Sequence, residues 1–283
     1  MNLKIKHILS RLTTTELETA ARSNYLYLKN PVPFERNQFA RGLVERNIGS
    51  TDGNVDVALQ KIRKTLKFRQ EMQIDDLITA FDNDNDNNNN NNKNEVNDTK
   101  TKAEILEKHL STKKFYVQGY DKEGRSTLYF IPRLVTNGHD NEWTLKEAMY
   151  SMERAIACSR LDTINAVVDF SEFSVSQHSP PMDIGKQFLT ALRNHYAGHI
   201  HCIFLINTPF SFSVLWNIFS PFIGTQTRDK IVIVKNNDDD AIRDLYDLEE
   251  VPSWFVLGGT KNRPLDVDEY LYELPFDASF NDH

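Results

Sequence analysis

The string NHYAGHIH sets His195, His199 and His201 close together in the 283-residue chain, and imidazoles so placed are potential metal ligands. His195 and His199 stand four apart, the spacing that puts two side chains on one helix face. Gly198 and the apolar run that follows argue against a continuing helix, so these are read as helix-end and edge-strand histidines and no metal site is expected. Asp169 closes the apolar run NAVVDF. A carboxylate there could act as acid or base in an α/β enzyme, or cap the loop that follows. Gly-x-Ser-x-Gly, Walker A, Gly-x-Gly-x-x-Gly and Cys-x-x-Cys do not occur in the sequence, so no catalytic residue and no cofactor is expected. Cys158 and Cys202 are the two cysteines; both lie in apolar surroundings without paired spacing, which predicts buried thiols in a cytosolic chain.

The elements that must position such residues are legible as periods. The net charge of −7 sits in two places, an Asn/Asp-rich stretch over 82–100 and an acidic end over 261–283, and the rest of the chain is neutral. A nucleic-acid binder would need a basic stripe, so that class is excluded. No apolar run is long enough for a membrane span. Residues 82–100 are read as a disordered insert, because polar Asn tracts bury too little to offset their ordering entropy. Before it, 1–81 is read as helical: Leu3, Ile5, Ile8, Leu9 and Leu12 form a short amphipathic helix. Val55, Leu59, Ile62 and Leu66 form another, capped by Asp52 or Asn54. After it, over 101–260, strands 113–118, 127–131, 165–170, 202–207 and 231–234 alternate with helical stretches 144–160 and 182–196. That alternation predicts an α/β fold with a mostly parallel sheet. Residues 261–283 are read as an acidic tail.

One helical piece does not fit an ordinary surface. Between Pro209 and Pro221, the polar residues Ser213, Asn217 and Ser220 make a single narrow stripe, and apolar residues cover the rest. A surface helix is apolar over roughly a third of its circumference. This one is either sandwiched in a core or faces something apolar that is not protein.

Asn207-x-Pro209-Phe210-x-Phe212, then Trp216, Pro221-Phe222-Ile223 and Thr227-x-x-Lys230-Ile231 resemble the signature of the CRAL-TRIO lipid-transfer domain, whose members include yeast phosphatidylinositol/phosphatidylcholine transfer proteins. Asp121-x-x-Gly124-Arg125, Val167-Val168-Asp169, Val251-Pro252 and Gly258-Gly259 resemble other parts of that domain in the same order. Arg41 to Arg46 with Phe68-Arg69 resembles its small N-terminal helical domain. The resemblance spans about residues 35–260. It implies a small N-terminal helical domain plus a mostly parallel sheet whose helices form an apolar lipid pocket. It also implies a non-enzymatic carrier that holds one lipid, such as phosphatidylinositol or phosphatidylcholine, under a gate helix and exchanges it with membranes. Such a carrier is expected to be a cytoplasmic monomer in transient contact with membrane.

The resemblance also carries site residues. Phe204, Phe210, Phe212, Leu215, Trp216, Phe219 and Phe222 would line the pocket and gate. Thr227, Lys230 and Arg46 would meet a phosphorylated headgroup; Ser174, Ser176, Tyr116 and Tyr129 would meet a choline headgroup. Gly198 and His199 stand where inositol-lipid members carry a Glu-Arg pair, so the acid that meets inositol has no counterpart. Some members bind haem through a Tyr and a His, and Tyr196 with His199 is the corresponding candidate. The rival readings are a carrier of a non-phospholipid ligand (a sterol, a tocopherol- or retinoid-like molecule, or haem) and a lipid-regulated scaffold for a protein partner.

Overall fold

The computed structural model describes residues 1–82, 93–135, 140–178, 182–235 and 239–280. The chain divides into two compact units, Met1–Asp76 and Leu77–His283.

The first unit is helical: α1 (Asn2–Leu9), α2 (Thr14–Arg22), α3 (Tyr25–Lys29), α4 (Arg36–Gly49) and α5 (Val55–Glu71). Its boundaries follow local chemistry. Thr13 and Glu16 form a reciprocal capping box at the start of α2, which satisfies two amides that the helix cannot. Asn54, rather than Asp52, caps α5 by accepting from the Val57 amide. Ile5, Ile8, Val44, Ile48, Leu59 and Ile62 share one buried cluster, each worth about 1.5–3 kcal/mol of burial. The predicted amphipathic helix at the start of the chain is therefore structural on its Ile5–Ile8 side, while Leu3 is exposed.

From α6 (Ile74–Ile78) the chain enters the second unit. The part of the expected disordered insert over 83–92 lies outside the described residues. The remainder differs from expectation: backbone from Lys93 is helical, the start of α7 (Lys93–Leu110). Next come β1 (Phe115–Tyr120), β2 (Ser126–Phe130), α8 (Asn141–Cys158), β3 (Ile164–Asp169), α9 (Val175–His178), α10 (Met182–Ala191) and β4 (Ile200–Ile206). They are followed by α11 (Phe212–Phe219), α12 (Thr225–Arg228), β5 (Ile231–Ile233) and α13 (Asp240–Leu245). The five strands lie in chain order. β1 and β2 form an antiparallel hairpin, and the three other pairings are parallel.

The hairpin turn is organised by Asp121, whose Oδ1 accepts from the amides of Glu123 (3.0 Å) and Arg125 (2.8 Å). Gly124 takes a φ of +89°, a conformation nearly free of cost for glycine alone.

Side chains alternate across the sheet with period two, so the register assigns the faces. Tyr116, Tyr129, Val167, Phe204 and Val232 share one face, paired laterally in that order. They pack with Tyr246 and with Val251, Phe255 and Val256 of the closing segment. Phe115, Phe130, Val168, Leu205 and Ile233 share the other face. There Phe115 meets Phe188 of α10, and the Ser126 hydroxyl donates to the Ala155 carbonyl of α8.

Residues 261–280 are not a free acidic tail, as their charge suggested. Tyr270, Leu271, Leu274, Phe276 and Phe280 are buried, and the Val117 amide donates to the Tyr270 hydroxyl at 3.1 Å. Arg154 of α8 is also buried. It stacks on the Tyr270 ring at 3.7 Å and donates to the carbonyl of Pro275 at 3.3 Å. Asp266, Asp268, Glu273 and Asp277 of this segment are exposed, while its apolar residues close the core.

Candidate functional site

A parallel sheet in an α/β protein is normally covered on both faces. Here the two faces differ. On the α13 side the central strands are buried. On the α10 side Phe130, Ala166, Val168, Ile203 and Ile231 are only half-buried, and Ile233 is exposed. The helices on that side match them. In α10, Phe188 and Leu189 are half-buried.

In α11 only Leu215 is buried; Phe212, Trp216, Ile218 and Phe219 are half-buried and Val214 is exposed. This is not a helix sandwiched in a core. α11 is held at two points. The Phe212 ring meets Phe170 edge-on at 5.2 Å, and the Phe219 ring lies over Gly185 of α10, where a Cβ would be only 2.8 Å away. Two apolar surfaces that a filled core would press together, the sheet face and the helix pair, are both left part-exposed.

The residues singled out in the sequence divide accordingly. Phe212, Leu215, Trp216 and Phe219 lie on α11, and Phe222 follows it with its ring 5.3 Å from the Lys186 ammonium. Phe210 is fully exposed at 107% and lines nothing internal. Phe204, expected in the pocket, is fully buried on the opposite sheet face, ringed by Tyr246 and Phe255. Tyr116 and Tyr129, expected at a headgroup, stack on one another on that same opposite face. The strand alternation is the reason: each is an odd step from the α10-facing neighbours Phe115 and Phe130. Burial pushes both phenols well above their ordinary pKa.

The polar candidates lie at opposite ends of the strands. The Lys230 ammonium, just before β5, donates to the carbonyl of Ile200 at the start of β4, and burial lowers its pKa. Thr227 is buried beside it in α12. Ser174 is half-buried beyond the far end of β3, and its amide is bonded to His178 Nδ1 at 3.0 Å. The side chain of Ser176 lies outside the described residues. Strands of this length, at about 3.3 Å per residue, put these ends some 20 Å apart. One headgroup cannot touch both sets. Arg46 lies half-buried on α4 of the first unit.

Asp169 sits at the Ser174 end, buried to 4% exposure. It accepts from Arg133 Nη1 (3.0 Å), Ser171 N (2.9 Å), Ser171 Oγ (2.7 Å) and Asn207 Nδ2 (2.8 Å). With its lone pairs so occupied it organises loops and has no spare capacity to act as a base. The sequence flagged the residue but not its partners, which come from three separate strand ends. The Tyr196 hydroxyl donates to Glu153 at 2.7 Å and His199 Nδ1 bonds the Asp162 carbonyl at 2.9 Å. Among the described residues, no group of three or more His, Cys, Asp and Glu is placed to hold a metal ion. No helix among them is long and apolar enough to cross a membrane.

An α/β unit with a part-exposed apolar sheet face, a part-exposed apolar helix packed against α10 and a helical unit before it in the chain defines the class of architecture. The chain belongs to the CRAL/TRIO domain family, whose model matches residues 110–259. It is 24% identical over 216 residues to a CRAL-TRIO domain-containing protein of Schizosaccharomyces pombe, covering 76% of this chain and 19% of that one. It is 28% identical over 175 residues to the SEC14 cytosolic factor of Candida glabrata, covering 55% and 56%. With the phosphatidylinositol transfer protein CSR1 of Eremothecium gossypii it shares 27% over 175 residues, covering 59% and 36%. The chain thus spans between about a fifth and just over half of these relatives. The crystal structure of Sfh5 has the same fold, with a TM-score of 0.58 at 12% identity over 84% of this chain and 78% of that one.

Proposed function

We propose that this chain is a carrier that holds one hydrophobic lipid, a phospholipid, between the α10-side face of β3–β5 and the α10–α11 pair. It exchanges that lipid with membranes, without catalysis, as a cytoplasmic monomer that touches the bilayer transiently. The observation that carries the reading is the pair of half-exposed apolar surfaces, on the sheet and on α11. An acyl chain laid between them gains about 0.8 kcal/mol per buried CH₂. The bilayer offers nearly the same gain, so exchange is close to balanced. The relatives, a phosphatidylinositol transfer protein among them, support a phospholipid as cargo.

The two separated polar ends offer two headgroup positions: Thr227 with Lys230, and Ser174 with Ser176. Phe212, Leu215, Trp216, Phe219 and Phe222 form the gate in this reading. A second reading has a specific support. The Lys230 ammonium is already engaged by a backbone carbonyl, and Gly198 and His199 supply no acid, which favours a neutral hydrophobic ligand such as a sterol. Native mass spectrometry of the purified full chain, followed by lipid extraction, tests both. One phospholipid per chain supports the first, one sterol-like molecule the second, and an empty protein that takes up neither from vesicles overturns both.

A further inference from the structure

We propose that the hydrogen bond from Asn207 to Asp169 is a latch that sets how fast α11 leaves the sheet, which makes both of them positioning residues for lipid exchange. The inference rests on the carrier reading above. Asn207 is the first residue after β4 and has a φ of +52°, a left-handed conformation that asparagine tolerates better than most residues. Its side chain reaches back to the buried Asp169 carboxylate, donating to Oδ1 at 2.8 Å. Asp169 cannot follow if α11 moves, because Arg133 and both polar groups of Ser171 hold it. The next residue grips the same segment: the Phe170 amide donates to the Ile206 carbonyl at 3.1 Å, and the Phe170 ring meets Phe212 of α11 at 5.2 Å.

β4 is paired on both sides, with β3 and β5, so it cannot swing with the helix. Any outward motion of α11 must be absorbed between residues 207 and 211. Pro209 has a fixed φ within that connection, which concentrates the rotation on its neighbours. Turning Asn207 out of its left-handed conformation carries its amide away from Asp169. Opening therefore requires breaking a charge-assisted bond, and the closed arrangement is reset when that bond reforms.

Two full-chain variants separate the latch from the backbone. Asn207→Asp is isosteric and replaces the donor with a second carboxylate; Asn207→Gly keeps the left-handed conformation and removes the side chain. Asn207 is exposed, so both are expected to fold cooperatively, with a melting temperature lowered by about 5 °C through the lost bond. With a fluorescent phosphatidylcholine and phosphatidylcholine vesicles, release and uptake should both accelerate, about ten-fold or more for Asn207→Asp. Kd should be unchanged, since a gate alters both rates and not their ratio. A lost binding contact or a damaged pocket would instead change Kd. Amide hydrogen exchange over 207–219 should rise in both variants relative to β4. Wild-type rates and wild-type exchange in both variants would overturn the latch. If wild type takes up no lipid, the carrier reading fails by itself, and hydrogen exchange alone decides the latch: unchanged protection over 207–219 sinks it.

Discussion

Lys230 and Trp216 test different halves of the carrier reading. Lys230 sits half-buried at one end of the strands with its ammonium on the Ile200 carbonyl, while Trp216 is a half-buried ring on α11. Lys230→Ala should weaken phosphatidylinositol transfer and spare a sterol, since a charge-assisted bond is worth about 1.5–3 kcal/mol, or one to two decades in affinity. Trp216→Asp puts a charge on α11, and in the carrier reading it should impair every lipid alike. A vesicle assay with labelled phosphatidylinositol, phosphatidylcholine and a sterol compares them; unchanged phospholipid transfer by Lys230→Ala removes the phosphate assignment.

The buried tyrosines make a pH prediction. Burial raises the pKa of Tyr129, Tyr150, Tyr246 and Tyr270. Their folded values therefore exceed the unfolded value of about 10. Their contribution is complete below that pH and is lost above it, where the unfolded chain sheds protons that the folded chain retains. Melting temperature should fall steeply above about pH 10, with the phenolate absorbance of these four tyrosines appearing only as the chain unfolds, while the more exposed tyrosines titrate in the folded state. Phenolate absorbance from all four tyrosines in still-folded protein would show that their burial is not tight.

At the scale of elements, the joint between β1 and the closing segment is the most exacting. Gly119 has a φ of +71°, and a Cβ there would lie 2.2 Å from the Glu250 carbonyl oxygen. Backbone cannot yield as a flexible side chain does. Gly119→Ala should cost roughly 3 kcal/mol or more, read as a fall in the denaturation midpoint. Gly185→Ala is the milder counterpart. Its Cβ would be 2.8 Å from the Phe219 ring, a side chain that can shift, so α11 should loosen while the sheet stays intact. Raised binding of an apolar dye with little change in the denaturation midpoint is the expected outcome.

Over the whole molecule, the two acidic segments look alike in charge and should behave oppositely. Deleting 83–92 should leave melting temperature and lipid transfer nearly unchanged, because a polar Asn tract adds no apolar burial. Removing 261–283 takes away Tyr270, Leu271, Leu274, Phe276 and Phe280, and leaves the Arg154 charge buried without its Tyr270 stack. Several buried apolar side chains at about 1.5–3 kcal/mol each approach the entire stability of a domain. That truncation should be insoluble or unfolded by circular dichroism, and a folded, soluble product would show that the segment is dispensable.

Sequence alone determined several elements, because local patterns encode them: the 3.6-residue spacing of α5, the apolar runs of β3 and β4, and the prolines that bracket α11. It also supplied the order of motifs that marks the family, and the anomaly of a helix apolar almost all round. Only the tertiary structure decided which side of the sheet each strand residue faces. A shift of one residue exchanges the faces, which is how Phe204, Tyr116 and Tyr129 fall opposite α11. Distance along the strands likewise set Thr227 and Lys230 apart from Ser174, although the resemblance gave both sets to a headgroup. Asp169 was conspicuous in the chain, but its hold on Asn207 joins residues 38 apart, a pairing no local pattern contains. The segment 261–280 was misjudged because net charge counts acids without regard to direction, and its acids and its core-closing aromatics occupy opposite sides of the same backbone.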